Sequence, residues 1–96
     1  MLEEITHESF ESMVGETVDI EAAEINFQAE VEAVTRLRQS TAQERQPFSV
    51  VLQAKDAKNH GQQTYQLSHP GLGELHLFMV PVGPGENGMR YEIIFN

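Results

Sequence analysis

Hydrophobic residues recur along this chain with two different periods, and the change of period marks its first boundary. Up to Val14 the spacing is three and four. Phe10, Met13 and Val14 share one face, Ile5 is placed to staple onto Phe10, and Glu8, Glu11 and Ser12 turn elsewhere. This predicts a short helix over 1–15, N-capped by Thr6 and stopped by Gly15. From Glu16 onward the period is two. Val18 and Ile20 alternate with Thr17, Asp19 and Glu21. In 25–37, Phe27, Ala29, Val31, Ala33 and Leu37 take one side, and Gln28, Glu30, Glu32 and Arg36 the other. Phe48, Val50, Leu52 and Ala54 repeat the alternation with Val51 as the exception, and Tyr65 and Leu67 face inward from the next run.

Turn chemistry separates these runs. Asn59-His60-Gly61 predicts a hairpin, "HPGLG" a tight turn, and "GPGENG", 83–88, the loop of a last hairpin. "RQSTAQERQ", Arg38 to Gln46, reads as an exposed polar loop available for binding. The predicted class is mainly β: about six antiparallel strands, joined as a meander, in a small barrel or folded-over sheet with the N-terminal α-helix packed on it. A chain of 96 residues encloses one core, so 1–96 is a single domain.

The last hairpin carries more apolar residues than one core needs. With 83–88 as its loop, Val82 pairs with Met89, Val80 with Tyr91 and Phe78 with Ile93. The core face is then Phe78, Val80 and Val82 with Met89, Tyr91, Ile93 and Phe95. The opposite face holds Leu75, Leu77, Met79 and Ile94. Leaving such side chains in water forfeits about 1.5–3 kcal/mol each, which a small domain cannot carry four times over. A cover is therefore expected, either the helix stripe or a protein partner or second copy. Leu75, Leu77, Met79, Ile94, Phe10 and Met13 are the candidate interface residues.

Charge narrows the partners. Fifteen acidic against six basic side chains give a net charge of -9, concentrated in the first third of the chain. Such a field repels phosphate backbones and anionic lipid, so neither nucleic acid nor a membrane is expected as partner. There is no cysteine, no apolar run near the ~18 residues of a membrane span, and no basic flank at the start, which together imply a cytoplasmic protein.

No catalytic constellation emerges. His7, His60, His69 and His76 lack metal-ligand spacing, and only His69 and His76 flank a common turn; no metal and no cofactor is expected. "GPGENG" lacks the following helix and the lysine of a phosphate cradle, and Glu86 alone is too few ligands for calcium. Arg90 and Glu92 suggest a surface ion pair, and Ser49, Thr64 and Ser68 have no evident base. The expected function is a non-enzymatic protein-interaction or structural module. The alternative is a carrier of a small ligand or carbohydrate at the barrel rim, near His76 and Tyr91.

The last 28 residues, "HPGLGELHLFMVPVGPGENGMRYEIIFN", closely resemble the C-terminal signature of a family of roughly hundred-residue bacterial domains of unknown function. "ITHESFESMVGETVDI" resembles the N-terminus of the same family. The resemblance spans nearly the whole chain and is weakest from Ala22 to Gln46. It implies no catalytic or binding residue, and only a loose association with larger bacterial assemblies.

Overall fold

The computed structural model describes residues 5–40 and 45–96. They form one helix, α1 (His7–Glu11), and six strands: β1 (Thr17–Ala22), β2 (Ile25–Arg36), β3 (Phe48–Ala54), β4 (Gln63–His69), β5 (Gly73–Pro84) and β6 (Met89–Phe95). Every neighbouring pair is antiparallel, and the strands close into a barrel in the order β1-β2-β3-β6-β5-β4, with β4 returning to β1. The fold is therefore mainly β, as the alternation predicts. The connectivity is not a simple meander, because β3 lies between β2 and β6. The chain crosses one mouth of the barrel between β3 and β4, and Asn59-His60-Gly61 belongs to that crossing rather than to a hairpin tip. Its turn signal is local: the Asn59 side chain accepts from the Gly61 N–H at 2.8 Å, and Gly61 has φ +85.

Inward positions of every strand merge into one core. Val18 and Ile20, Phe27, Ala29 and Val31, Phe48, Val50, Leu52 and Ala54, Tyr65 and Leu67, and Tyr91 and Ile93 are all buried. Aromatic groups close both mouths. At one, α1 inserts Phe10, whose ring lies 5.4 Å from Phe95 and 6.2 Å from Phe48, and those two rings stack at 4.5 Å. A helix of this length has no stability of its own, so the buried Phe10 and Met13 hold it in place. The Thr6 N–H donates to Ser9 Oγ at 3.2 Å, and Gly15, at φ +93, turns the chain into β1. Val14 points to solvent rather than joining the stripe. Residues 1–4 of the predicted helix lie outside the described residues.

At the other mouth the β3–β4 crossing is the plug. His60 stacks on Phe27 at 4.7 Å. The Tyr65 hydroxyl donates to the Gly61 carbonyl at 2.7 Å, and the Tyr91 hydroxyl accepts from the His60 N–H at 3.0 Å. Burial raises the Tyr91 phenol above its ordinary value of 10.0, against the opposing effect of that N–H.

Two one-residue bulges decide which side chains reach this core. In β2 the register shifts between Val31 and Ala33, so Glu32 is the extra residue. Beyond it Val34 pairs with Val50 and packs on the core, while Ala33 does not. The predicted inward series Ala33 and Leu37 is thus displaced by one. In β5 the shift falls between Pro81 and Gly83, which makes Val82 the extra residue, with Gly83 at φ +122. The loop is also shorter than predicted, since Pro84 already pairs with Met89 and the Gly85 N–H donates to the Gly88 carbonyl at 2.7 Å. The two residues the loop gives up, Gly83 and Pro84, both join β5, and a shift of two preserves the phase; the bulge, a shift of one, reverses it. Leu75, Leu77 and Met79 consequently point into the barrel and are buried, whereas Phe78, Val80 and Val82 point outward.

Candidate functional site

The apolar surplus of the last hairpin is real, but it lies on the outer wall and is made of other residues than the alternation suggested. Phe78 is 54% exposed, Val82 52% and Ile94 49%. Val80 and Val51 flank them half-buried. Of the six candidate interface residues, only Ile94 is on this surface. Leu75, Leu77 and Met79 fill the barrel, and Phe10 and Met13 fill its mouth. α1 sits over the ends of β2 and β3 and does not lie on the outer wall of β5 and β6, so the helix is not the lid that wall was expected to have.

Two rim residues proposed for a ligand are not neighbours in function. Tyr91 is fully buried and spends its hydroxyl on the β3–β4 plug. His76 stands outside, on the wall of β5 opposite Gln66 of β4. A groove of about 330 Å³ runs beside it, with His76, Phe78, Val80, Glu92 and Ile94 among its lining and Leu77, Ile93 and Phe95 at its floor. Arg45 also reaches this groove, and its guanidinium donates to the Ile5 carbonyl at 2.7 Å.

The groove exists because β5 and β6 part company. Their ladder runs from Pro84↔Met89 to Val80↔Glu92 and ends there. Pro81 has no N–H, so Val80 and Glu92 must form the rung that exchanges hydrogen bonds. The next such rung would join Phe78 to Ile94, and it is not formed. Beyond it, β5 from Gly73 to Met79 pairs only with β4, and β6 from Ile93 to Phe95 pairs only with β3.

The upper part of the same wall is tied down by polar contacts. The Glu32 carboxylate, carried outward by its bulge, accepts from Gln53 Nε2 at 2.7 Å and from Arg90 Nε at 2.9 Å. Gln53 Oε1 accepts from the Asn87 N–H at 2.6 Å, and Asp56 O accepts from the Met89 N–H at 2.9 Å. Arg90 thus pairs across three strands with Glu32 rather than with Glu92 on its own strand. Gly88 is where it is because a Cβ there would run into the carbonyl oxygens of Ala54 and Asp56. The Gly-rich loop has a structural reason for its glycines.

The histidines are dispersed. His69 Nδ1 accepts from the Gly71 N–H at 2.9 Å, which makes Nε2 the protonated nitrogen and the donor to Glu16 at 2.8 Å. This clips the approach to β1 onto the β4–β5 turn, while His76 faces the other side of the wall. His7 lies 3.3 Å from Glu11, and it is the larger cause holding that carboxyl below its ordinary value of 4.5; Arg36, at 3.4 Å, adds to it against partial burial. Among the described residues no group of three or more His, Asp or Glu is arranged to hold a metal ion, and no helix is long and apolar enough to cross a membrane. Of the polar loop from Arg38 to Gln46, residues 41–44 lie outside the described residues. Its base is fixed by the Gln46 amide, which donates to the Leu37 carbonyl at 2.6 Å.

No curated protein and no solved structure matches the chain. The sequence model of one family, described as Domain of unknown function (DUF6916), matches residues 5–95, and the chain belongs to that family.

Proposed function

We propose that this domain is a non-enzymatic protein-interaction module that docks a partner on the outer wall of β5 and β6. The observation carrying the reading is the cluster of Phe78, Val82 and Ile94, each about half exposed on adjacent strands of a wall that no element of the chain covers among the described residues. Full burial of three such groups contributes about 1.5–3 kcal/mol each, of which an exposed cluster leaves roughly half to be gained on docking. Polar side chains that would otherwise suggest chemistry are engaged in holding the barrel together: Glu32 and Arg90 with each other, His69 with Glu16, and Tyr91 with the mouth plug. A carrier of small ligands needs space in the barrel, and the inward positions are filled by Tyr65, Tyr91, Leu52 and their neighbours.

The test is a comparative capture from lysate of the source organism. Wild type, the double variant Phe78→Ser/Ile94→Ser and the control Asp19→Ser serve as baits, each checked by circular dichroism to be folded at the capture temperature. The reading predicts a bound protein retained by wild type and the control and lost by the double variant. Equal retention by all three baits overturns it.

A further inference from the structure

The chemistry of the partner can be read from the groove in which the exposed apolar residues sit. We infer that the wedge between β5 and β6 accepts an extended segment of a partner protein as an added strand, with apolar side chains turned to the floor and cationic ones to the rim. This inference rests on the docking reading above and adds to it the form and charge of the occupant.

Backbone geometry argues for a strand. Alternation from the Val80↔Glu92 rung aims the main-chain N–H and C=O groups of Phe78 and His76 toward β6, and those of Ile94 toward β5. The ladder stops before a Phe78↔Ile94 pair, so among the described residues both banks of the groove present strand edge over this stretch of an otherwise closed barrel. A helix or a flat apolar surface would cover Phe78 and Ile94 but would not continue the β5–β6 ladder past Val80↔Glu92. An extended chain does both, as in recognition by strand addition.

Side-chain chemistry sets the occupant's pattern. Residues of an inserted strand alternate between the floor and the outside. The floor is Leu77, Ile93 and Phe95, which suits apolar side chains. On the outer side the groove meets Glu92 and, at the end near α1, Arg45, whose guanidinium is engaged by the Ile5 carbonyl; Glu74 lies exposed beyond the groove, one strand-repeat from His76. The chain as a whole carries -9, which attracts a cationic segment and repels a second copy of itself. An alternating apolar and basic segment therefore fits, and self-association is disfavoured by charge.

The experiment titrates the full chain, isotope-labelled, with a synthetic heptapeptide alternating lysine and valine, and follows backbone amides by NMR. Two comparison peptides are used: the same heptapeptide N-methylated at each valine, and a glutamate-valine counterpart. Saturable binding is expected, with hydrogen exchange at Phe78, His76 and Ile94 slowed about tenfold or more on binding. N-methylation is expected to weaken affinity about tenfold, the equivalent of one lost hydrogen bond or more, and the acidic peptide should not bind. Equal affinity for the methylated peptide overturns strand addition while leaving the wall as a docking surface. Binding of the acidic peptide as tightly as the basic one overturns the charge assignment. No binding of the basic peptide overturns the inference as a whole, and the capture experiment then decides separately whether the wall docks a protein by other chemistry.

Discussion

The β1–β2 wall and the β5–β6 wall belong to one barrel and meet water with opposite chemistry. On β1 and β2 the outward residues are Thr17, Asp19, Glu21, Asn26, Gln28 and Glu30, all exposed and polar, and Gln28 donates to Asp19 at 3.1 Å across the pair. On β5 and β6 the outward residues include Phe78, Val80, Val82 and Ile94. The first wall pairs in unbroken register from Ala22↔Ile25 to Thr17↔Glu30, whereas the second loses its phase at Val82 and its pairing below Val80. A wall that needs only to be wet keeps a regular ladder and acidic side chains. The other combines apolar exposure, a bulge and a ladder that stops at Val80↔Glu92, the features on which the proposed docking rests.

The largest effect that would sharpen this contrast is in the β5–β6 loop. Gly88→Ala forces a Cβ against the backbone of Ala54 and Asp56 and should cost about 3 kcal/mol or more in urea denaturation. A cost below about 1 kcal/mol would mean that the β5–β6 loop is not locked to β3. Next comes the clasp that joins the two bulges. Glu32→Ala removes the acceptor for Gln53 and Arg90 and should destabilise by about 1–3 kcal/mol, while Glu30→Ala, two residues earlier on the wet wall, should stay within about 0.5 kcal/mol.

Tyr91→Phe separates the inner side of β6 from its outer side. Losing the acceptor of the His60 N–H should cost about 1–2 kcal/mol near neutral pH. Because folding raises this phenol, its contribution is complete below pH 10.0 and is lost as pH rises through the higher folded value. Denaturation midpoints followed against pH should therefore fall more steeply on the alkaline side for wild type than for the variant; parallel curves would contradict the buried placement of the hydroxyl. The smallest effect has the opposite sign. In the β1–β2 turn Ala23 sits at φ +49, a left-handed conformation that glycine adopts without steric cost, so Ala23→Gly should gain up to about 1 kcal/mol. A loss on the same scale would show that this turn carries no strain.

Much of the barrel is legible in period-two alternation alone. Val18 and Ile20, Phe27 to Val31, Phe48 to Ala54, and Tyr65 and Leu67 are inward as predicted because each run keeps its phase. Prediction fails at Glu32 and Val82, where a single unpaired residue reverses every side chain beyond it. A bulge leaves little trace in hydrophobic pattern, since the run past it alternates as cleanly as before. Pro81 and the Gly83-Pro84 pair are a visible signal at the second, because proline interrupts ladder donation and Gly83 takes the positive φ. The β3–β4 crossing was hidden for another reason: Asn59-His60-Gly61 specifies a turn, and a turn does not say which strand follows it in space. The candidate site was legible as a surplus of apolar residues in the last hairpin, but its membership depended on a phase that the pattern could not supply.

The most direct test of that phase compares neighbours, Leu77→Ala and Phe78→Ala, by urea denaturation of the two variants beside wild type. Inward packing predicts a loss of about 2–5 kcal/mol at Leu77 and less than about 1 kcal/mol at Phe78. A large loss at Phe78 with little at Leu77 would put the apolar surplus on the opposite face and contradict the account.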